Sequence, residues 1–411
     1  MRPIHQSGEH PSPPLSSVRA RSLKIVHPTM LSKSRARRIW LHAQRLDQAA
    51  PFGDGPEATR AAVEHLGYVQ IDTINVIERC HHQILYTRIP AYRRADLHQA
   101  QAIDKTVFEY WTHALSYLPI RDMRFYARAM KRDWQARSAW FGAVKAADLR
   151  KVLGRIRKNG ALTIRDIDDD VLVEKDHEWA SRKPSKRALQ LLFYRGVLTV
   201  SERTGMLKTY ELMSRHFGWE RPPQSASQRE TLDYLLDWAL QSQGLVSLDS
   251  ACYLAPRRKP AMRRLIEARV RRAELVPVQL DGAGSLQHWA RPQALEAAPE
   301  LAEDRVHILS PFDPLVHPRK RLRLFFGYEH RFEAYVPKQK RRFGYFAQPV
   351  LAGDEFVAVI DLKTDRERRK LLLRQWTWLT DRFRRLRKRQ IEEALHRFER
   401  FQLASEESPI G

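Results

Sequence analysis

The chain has 411 residues, of which 43% are hydrophobic and 29% are charged, and these values are typical of a globular protein with several domains. Its 72 lysines and arginines exceed its 48 aspartates and glutamates, so the formal net charge is +24. An excess of this size favours a polyanionic partner, nucleic acid before membrane, over a basic protein that has none. The sequence contains no run of 18 apolar residues, which excludes a transmembrane helix.

The two cysteines and the N-terminal segment bear on where the protein acts. Cys80 and Cys252 lie far apart and form no CxxC pattern, so neither a disulfide framework nor a zinc cluster is indicated. We therefore predict reduced thiols and a cytoplasmic, nucleoid-associated bacterial protein. Residues 1–30 lack the apolar core of a secretory signal, which predicts a disordered extension. The sequence leaves open whether translation starts at Met1 or Met30.

Residues 31–140 are predicted to form a first winged-helix domain. Two amphipathic helices lead into a strand on which Gln70 and Asp72 point to one face and Ile71 to the other. Asn75 is then predicted as a helix N-cap, which places the Asp72 carboxylate just ahead of a helix N-terminus, where an anion is favoured. An amide and a carboxylate on one face could orient a water molecule. A solvated strand edge or turn cap is the commoner explanation of such a triplet.

Two aromatic side chains in the same domain are candidates for a base pocket. Trp111 and His113 lie two residues apart, and aromatic faces stack on nucleobases. The alternative is that both belong to the core, with the histidine satisfied by one hydrogen bond. The residues by themselves leave both interpretations open.

Residues 141–222 give the cleanest winged-helix pattern. A helix over about 184–195 repeats apolar residues at positions i, i+3, i+4 and i+7. The other face of this helix carries the residue types of a recognition helix, namely Lys186, Arg187 and Gln190. A β-hairpin around Arg203 follows and is predicted to be the wing. The three aspartates at 168–170 alternate in direction, which favours a solvated loop over a metal site.

The C-terminal half is predicted to hold a third winged-helix domain at 223–298, a small β-barrel at 299–375 and a basic helix and tail at 376–411. Leu322–Phe326 and Arg331–Val336 are among the predicted barrel strands. Basic residues beside aromatic ones in this part are candidates for phosphate contacts: Lys338, Lys340, Arg341 and Arg342. A basic hairpin over an ordinary core is the alternative. The predicted fold class is therefore α+β, with tandem winged-helix (helix-turn-helix) domains followed by a β-barrel.

Several segments in order resemble the YcaQ/AlkZ-like winged-helix DNA glycosylases, over nearly all of residues 31–375. The most specific is VQIDTI…ERCHHQILYTRIP at 69–90, which contains the Gln-apolar-Asp triplet. The others are Ser310–Val316, Tyr335-Val336-Pro337, Gly344-Tyr345, Asp361-Leu362-Lys363 and Asp365-Arg366. One departure is His317-Pro318, where the family pattern has a Trp-Asp pair. This departure puts local packing or one DNA contact in doubt.

The resemblance implies a monofunctional, metal-independent DNA glycosylase without a cofactor, acting as a monomer on double-stranded DNA. It implies release of N-alkylated purines and unhooking of nitrogen-mustard-type interstrand crosslinks in base excision repair. In the family the Gln-apolar-Asp triplet carries catalysis, which makes Gln70 and Asp72 the expected catalytic residues. The family also has a Trp-x-His motif, which matches Trp111 and His113.

The chemistry of the triplet suits this reaction. An N7-alkylated purine is already a cationic leaving group, and its N-glycosidic bond breaks through an oxocarbenium-like state. Asp72 is expected to stabilise that cation and take a proton from a water molecule that Gln70 positions. The rival functions are a non-catalytic winged-helix regulator, a magnesium-dependent nuclease and a structural nucleoid protein.

Overall fold

The computed structural model describes residues 27–136, 141, 144–168, 171–175, 181–296, 305–382 and 384–404. The predicted disordered extension therefore lies outside the described residues as far as residue 26, and so do two of the three aspartates at 168–170. The described part is a mixture of helices and small sheets, which confirms the α+β prediction.

The α-helices are α1 (Lys33–Ala43), α2 (Gly55–Leu66), α3 (Cys80–Tyr86), α4 (Arg94–His98), α5 (Met123–Ala136), α6 (Ala146–Asn159), α7 (Pro184–Tyr194), α8 (Met213–Phe217), α9 (Gln228–Gln243), α10 (Leu248–Ala251), α11 (Lys259–Arg271), α12 (Pro292–Glu296), α13 (Arg319–Phe326) and α14 (Arg384–Leu403). The strands are β1 (Thr29–Leu31), β2 (Val69–Gln70), β3 (Val107–Trp111), β4 (Leu115–Pro119), β5 (Leu162–Thr163), β6 (Leu198–Thr204), β7 (Leu207–Leu212), β8 (Leu245–Val246), β9 (Val276–Leu280), β10 (Gln287–Ala290), β11 (Val306–Ile308), β12 (Ala347–Ala352), β13 (Glu355–Asp365) and β14 (Lys370–Trp378).

The strands form four small sheets that follow one another along the chain. Their strand orders are β2-β4-β3, β5-β7-β6, β1-β9-β10-β8 and β11-β12-β13-β14. All the pairings are antiparallel except that of β1 with β9, in which Thr29–Leu31 runs parallel to Val278–Leu280. Strand β1 begins inside the segment predicted to be disordered. It forms because it pairs, as an edge strand, with β9, which lies more than 240 residues further along the chain.

The sheets do not have separate cores. Val69 and Ile71, at the predicted catalytic triplet, pack in one hydrophobic cluster with Val350 and Ile360 of the C-terminal sheet. Trp40 of α1 belongs to a second cluster, which includes residues of β9 and α13. Because apolar surface is shared between distant parts of the chain, the first and last parts of the molecule stabilise each other.

The predicted β-barrel is wrong. Within the described residues, the C-terminal sheet is open, since its edge strands β11 and β14 do not pair with each other. Leu322–Phe326, predicted as a strand, belongs to helix α13, whose residues Leu322 and Phe325 are buried at helical spacing. Arg331–Val336 forms no strand either. With both segments lost, four strands remain, too few to close a barrel.

The C-terminal helix starts later than the predicted residue 376. Trp376 lies in β14, which pairs with β13, and α14 begins at Arg384. Residues 371–378 pair with residues 358–364 of β13, and this pairing overrides the helical spacing of the apolar residues.

A glycine is required three residues before the triplet. Gly67 ends α2 with a φ of +76°, and the indole N–H of Trp238 donates to the preceding carbonyl, Leu66 O, at 2.6 Å. A Cβ atom on Gly67 would lie 1.8 Å from that indole nitrogen. Both the left-handed backbone and the close approach therefore exclude any larger residue at the entry to β2.

A fully buried ion pair joins three segments of the molecule. The Arg88 guanidinium donates to both carboxylate oxygens of Asp313, at 2.8 and 3.1 Å, and neither side chain is exposed. The remaining N–H groups donate to the main-chain and side-chain oxygens of Gln44 and to Ile84 O. All five donors of Arg88 are thus satisfied, as a buried charge requires.

We expect Asp313→Ala to lower the free energy of unfolding by about 3–5 kcal/mol, because it leaves the Arg88 charge buried and unpaired. Urea denaturation monitored by circular dichroism measures this. The double variant Arg88→Met/Asp313→Leu is the control, since it removes both charges and should be more stable than Asp313→Ala. Equal loss in the single and double variants would contradict the unpaired-charge explanation.

Candidate active site

The predicted catalytic triplet lies at the end of β2 and partly inside the molecule. Gln70 pairs with Ser116 of β4, and the strand pairing extends one residue further because Ile71 N donates to Leu115 O at 2.8 Å. Val69 and Ile71 face the hydrophobic core, whereas the Gln70 side chain points away from it toward His113. The predicted alternation of side chains is therefore present for Val69, Gln70 and Ile71.

Asp72 is held by a turn and not by a helix N-terminus. Its carboxylate accepts a hydrogen bond from the main-chain N–H of Ile74 at 2.8 Å, and its side chain is half-buried. Helix α3 begins only at Cys80, so the helix start predicted at Asn75 is wrong. The physical reason is that aspartate caps its own turn, which satisfies the main chain locally without a helix.

A buried thiol supports the main chain of the triplet. The Cys80 Sγ atom donates to the carbonyl oxygen of Gln70 at 3.0 Å. Burial raises the pKa of this thiol well above its ordinary value, and the nearby Asp72 carboxylate raises it further. The thiol therefore keeps its proton and acts as a structural donor at the first turn of α3.

His113 fixes the side chain of Gln70. The two are joined by a 3.1 Å hydrogen bond between His113 Nε2 and Gln70 Oε1. Burial lowers the pKa of His113 to about 4, so the ring is neutral at neutral pH. Because the amide oxygen can only accept, Nε2 carries the ring proton. Among the described residues no protein group bonds the Gln70 amide nitrogen, which leaves its N–H groups available to a water molecule or a substrate.

Aromatic rings from distant segments surround His113. It stacks on His317, with ring centroids 4.4 Å apart, and its ring lies 5.0 Å from that of Tyr68 in an edge contact. The Tyr253 hydroxyl lies 3.1 Å from His317 Nε2. Sequence reasoning missed Tyr68, Tyr253 and His317. A signal for His317 was present, since it is the position at which the chain departs from the family pattern.

Trp111 is not part of this cluster. Its ring stacks on Tyr194 of α7, with centroids 5.5 Å apart and an interplanar angle of 15°. It packs in the hydrophobic cluster of β6, β7 and α7. Of the two aromatic candidates predicted from the sequence, the structure brings only His113 to Gln70.

The predicted recognition helix and wing are only partly available for contact with a ligand. Lys186 is exposed on α7 and Gln190 is half-buried, but Arg187 is buried and donates to Glu174 O at 2.7 Å. The Arg203 side chain is only 5% exposed, in an ion pair in which its Nη2 lies 2.7 Å from Glu109 Oε2. We therefore assign structural roles to both side chains, since their guanidinium groups already bond protein oxygens. Arg187 supports the loop at Glu174, and Arg203 supports the β6–β7 hairpin.

The C-terminal basic cluster lies on a pinned loop. Lys338, Lys340 and Arg342 are exposed, and Arg341 lies over the Tyr345 ring at 4.8 Å. The Glu333 carboxylate accepts from the main-chain N–H groups of residues 342 and 343, at 2.9 and 2.7 Å. This arrangement holds the loop with its cationic side chains outward, as contact with phosphates requires.

Neither a metal-binding cluster nor a membrane-spanning helix is found among the described residues. They contain no group of three histidine, cysteine, aspartate or glutamate side chains placed to hold a metal ion. None of the helices in the described ranges has the length and apolar character needed to cross a bilayer.

The chain is similar to known proteins in both sequence and fold. The family described as DNA glycosylase AlkZ-like matches residues 63–401. Among solved structures, Streptomyces sahachiroi DNA glycosylase AlkZ superposes with a TM-score of 0.57 at 17% sequence identity. The match covers 91% of this chain and 97% of that chain. At this identity the structural likeness establishes a shared fold.

The lowered pKa of His113 predicts a loss of stability in acid. Its pKa falls from 6.5 to about 4 on folding, so between these values the unfolded chain binds a proton that the folded chain does not. Stability is therefore fully present above pH 6.5 and falls toward pH 4, by up to ~1.4 kcal/mol per pH unit for this proton. We expect His113→Gln, which can still donate to Gln70, to lose less stability than the wild type between pH 7 and pH 5.

Urea denaturation at both pH values measures the difference. His396→Gln, at an exposed position on α14, is the control and should behave as the wild type. An unchanged pH dependence in His113→Gln would contradict burial as the cause.

Proposed function

We propose, because this chain belongs to the AlkZ-like DNA glycosylase family, that it is a monofunctional glycosylase that releases N-alkylated purines from DNA. We further propose that it unhooks interstrand crosslinks of the nitrogen-mustard type, as a step of base excision repair. DNA is the substrate that the family implies. The observation that carries the proposal is the His113–Gln70 hydrogen bond, which fixes the orientation of the Gln70 amide two residues before Asp72 in the chain.

The proposed reaction divides the work between the two side chains. The bond between C1′ and the purine nitrogen breaks, its electron pair leaves with the base, and positive charge develops on the sugar. Asp72 stabilises this charge and accepts a proton from the attacking water. The water oxygen bonds to C1′, so the products are the free base and an abasic sugar with a new hydroxyl group. No Schiff-base lysine and no metal ion takes part in this scheme.

The buried position of Gln70 gives its side-chain amide a fixed orientation. With its oxygen bonded to neutral His113, the amide can present only its N–H groups to a water molecule. Such a donor holds the water oxygen by one lone pair and leaves the other free to attack C1′. Because the amide is already ordered before substrate binds, no reorganisation is needed during the reaction.

The distribution of charge supports double-stranded DNA as the partner. The net charge is +24, and the exposed cations include Lys186 on α7 and Lys338, Lys340 and Arg342 on the pinned loop. We propose that the helices and sheets of 31–140, 141–222 and 223–298 are three tandem winged-helix domains. The hairpin of β6 and β7 beside α7, and the hairpin of β9 and β10 beside α11, support this arrangement. A monomer acting in the cytoplasm completes the proposal.

We expect Asp72→Asn to fold and to bind DNA but to lose base release by ~10²–10⁴-fold, the usual contribution of such a group. The asparagine oxygen can still accept from Ile74 N, so the turn is kept. Gln70→Ala should lose less, because the carboxylate remains. The substrates are a duplex with 7-methylguanine and a duplex with a mustard crosslink, analysed on gels after alkaline work-up.

Asp281→Asn, at the exposed turn between β9 and β10, is the matched control and should retain full activity. An EDTA-treated sample of the wild type tests the proposed independence of metal. Base release by the wild type that persists in EDTA and is lost in Asp72→Asn supports the proposal. Tight DNA binding with no release from either duplex would leave a non-catalytic winged-helix regulator.

A further inference from the structure

An exposed apolar turn lies between α10 and α11. Ala255 N donates to Cys252 O at 2.8 Å, so Tyr253 and Leu254 are the two central residues of a tight turn. Leu254 is 70% exposed and Tyr253 is 43% exposed. The Leu254 side chain gains little for folding, since most of it remains in water.

The backbone of this turn is strained as well. Leu254 has a φ of +53°, in the left-handed region that leucine rarely adopts. Glycine or asparagine would occupy this position at lower cost. A strained backbone that presents an exposed leucine is stabilised neither by its conformation nor by burial. Such a position favours a function for the side chain itself.

The turn is anchored to the proposed active site. The Tyr253 hydroxyl lies 3.1 Å from His317 Nε2, and the Tyr253 ring lies 6.0 Å from that of His113. His113 in turn bonds Gln70. Tyr253, the residue next to Leu254, is therefore separated from the Gln70 side chain only by the imidazole ring of His113.

Exposed cations lie close to the apolar tip. Arg257 and Arg258 come three and four residues after Leu254, and Arg319, whose charge acts on Tyr253, comes two residues after His317. An apolar tip with cations nearby suits a duplex, in which stacked bases lie between two phosphate backbones. A turn in this position would meet the DNA at the nucleotide that faces Gln70 and Asp72.

We propose that the Tyr253–Leu254 turn is a wedge that inserts Leu254 into the base stack of duplex DNA beside the damaged nucleotide. Tyr253 is its anchor to His317. This inference rests on the proposed glycosylase function and deepens it. Insertion opens the stack, and the leucine replaces the lost base contacts, so that C1′ becomes accessible to the triplet. A damaged base pair stacks less well and is opened at lower cost, which favours lesions over intact DNA.

Leu254→Gly tests the wedge without a loss of stability, because glycine accepts the positive φ. We expect it to slow single-turnover release of 7-methylguanine from a fully paired duplex by about tenfold or more. Release of the same lesion from an unpaired bubble within the duplex should change little, because that stack is already open. Leu254→Met, which keeps a long apolar side chain, should retain most of the activity on the paired duplex.

A second readout separates this inference from the function on which it rests. With 2-aminopurine next to the lesion, binding of the wild type should raise the fluorescence by unstacking the base, and binding of Leu254→Gly should not. Equal slowing on paired and bubble substrates, or an unchanged fluorescence rise in Leu254→Gly, would overturn the wedge. If the wild type releases no base from either substrate, the glycosylase proposal fails, and the fluorescence comparison by itself decides whether the turn enters the stack.

Discussion

The buried pair of Arg88 and Asp313 is the constraint on which the site depends. Each donor of Arg88 has an acceptor, and Asp313 also accepts from Leu315 N at 2.9 Å. Displacement of either side chain would therefore leave a buried charge without its partner. Arg88 follows α3, and His317 N donates to Asp313 O at 2.8 Å. The pair therefore sets the distance between the triplet, which precedes α3, and His317, which stacks over His113.

The two residues of the proposed active site have different environments, and these match different tasks. Gln70 is 6% exposed; His113 bonds its side-chain oxygen and Cys80 bonds its main-chain oxygen. Asp72 is half-buried in a turn that its own carboxylate closes by accepting from Ile74 N. A fixed amide next to a more open carboxylate suits a reaction in which one group positions water and the other faces a transient cation.

The segments that identified the family are also those that meet in the folded molecule. Arg88 belongs to the run at 69–90 and Asp313 to the run at 310–316, 225 residues further along the chain. The motif residue Asp361 accepts from the main-chain N–H groups of Tyr345 and Phe346, both at 3.1 Å. These charged residues thus hold the positions of backbone segments, which gives them a structural role apart from the two side chains proposed for catalysis.

The sequence by itself determined the local features, namely the amphipathic helices and the alternation around Ile71, since each depends on neighbours along the chain. It also predicted the family, because the motifs occur in order. Only the tertiary structure decided the helical state of Leu322–Phe326, the burial of Arg203 on Glu109 and the assembly of Tyr253 and His317 over His113. These outcomes depend on partners far away in sequence, and no local pattern encodes such contacts.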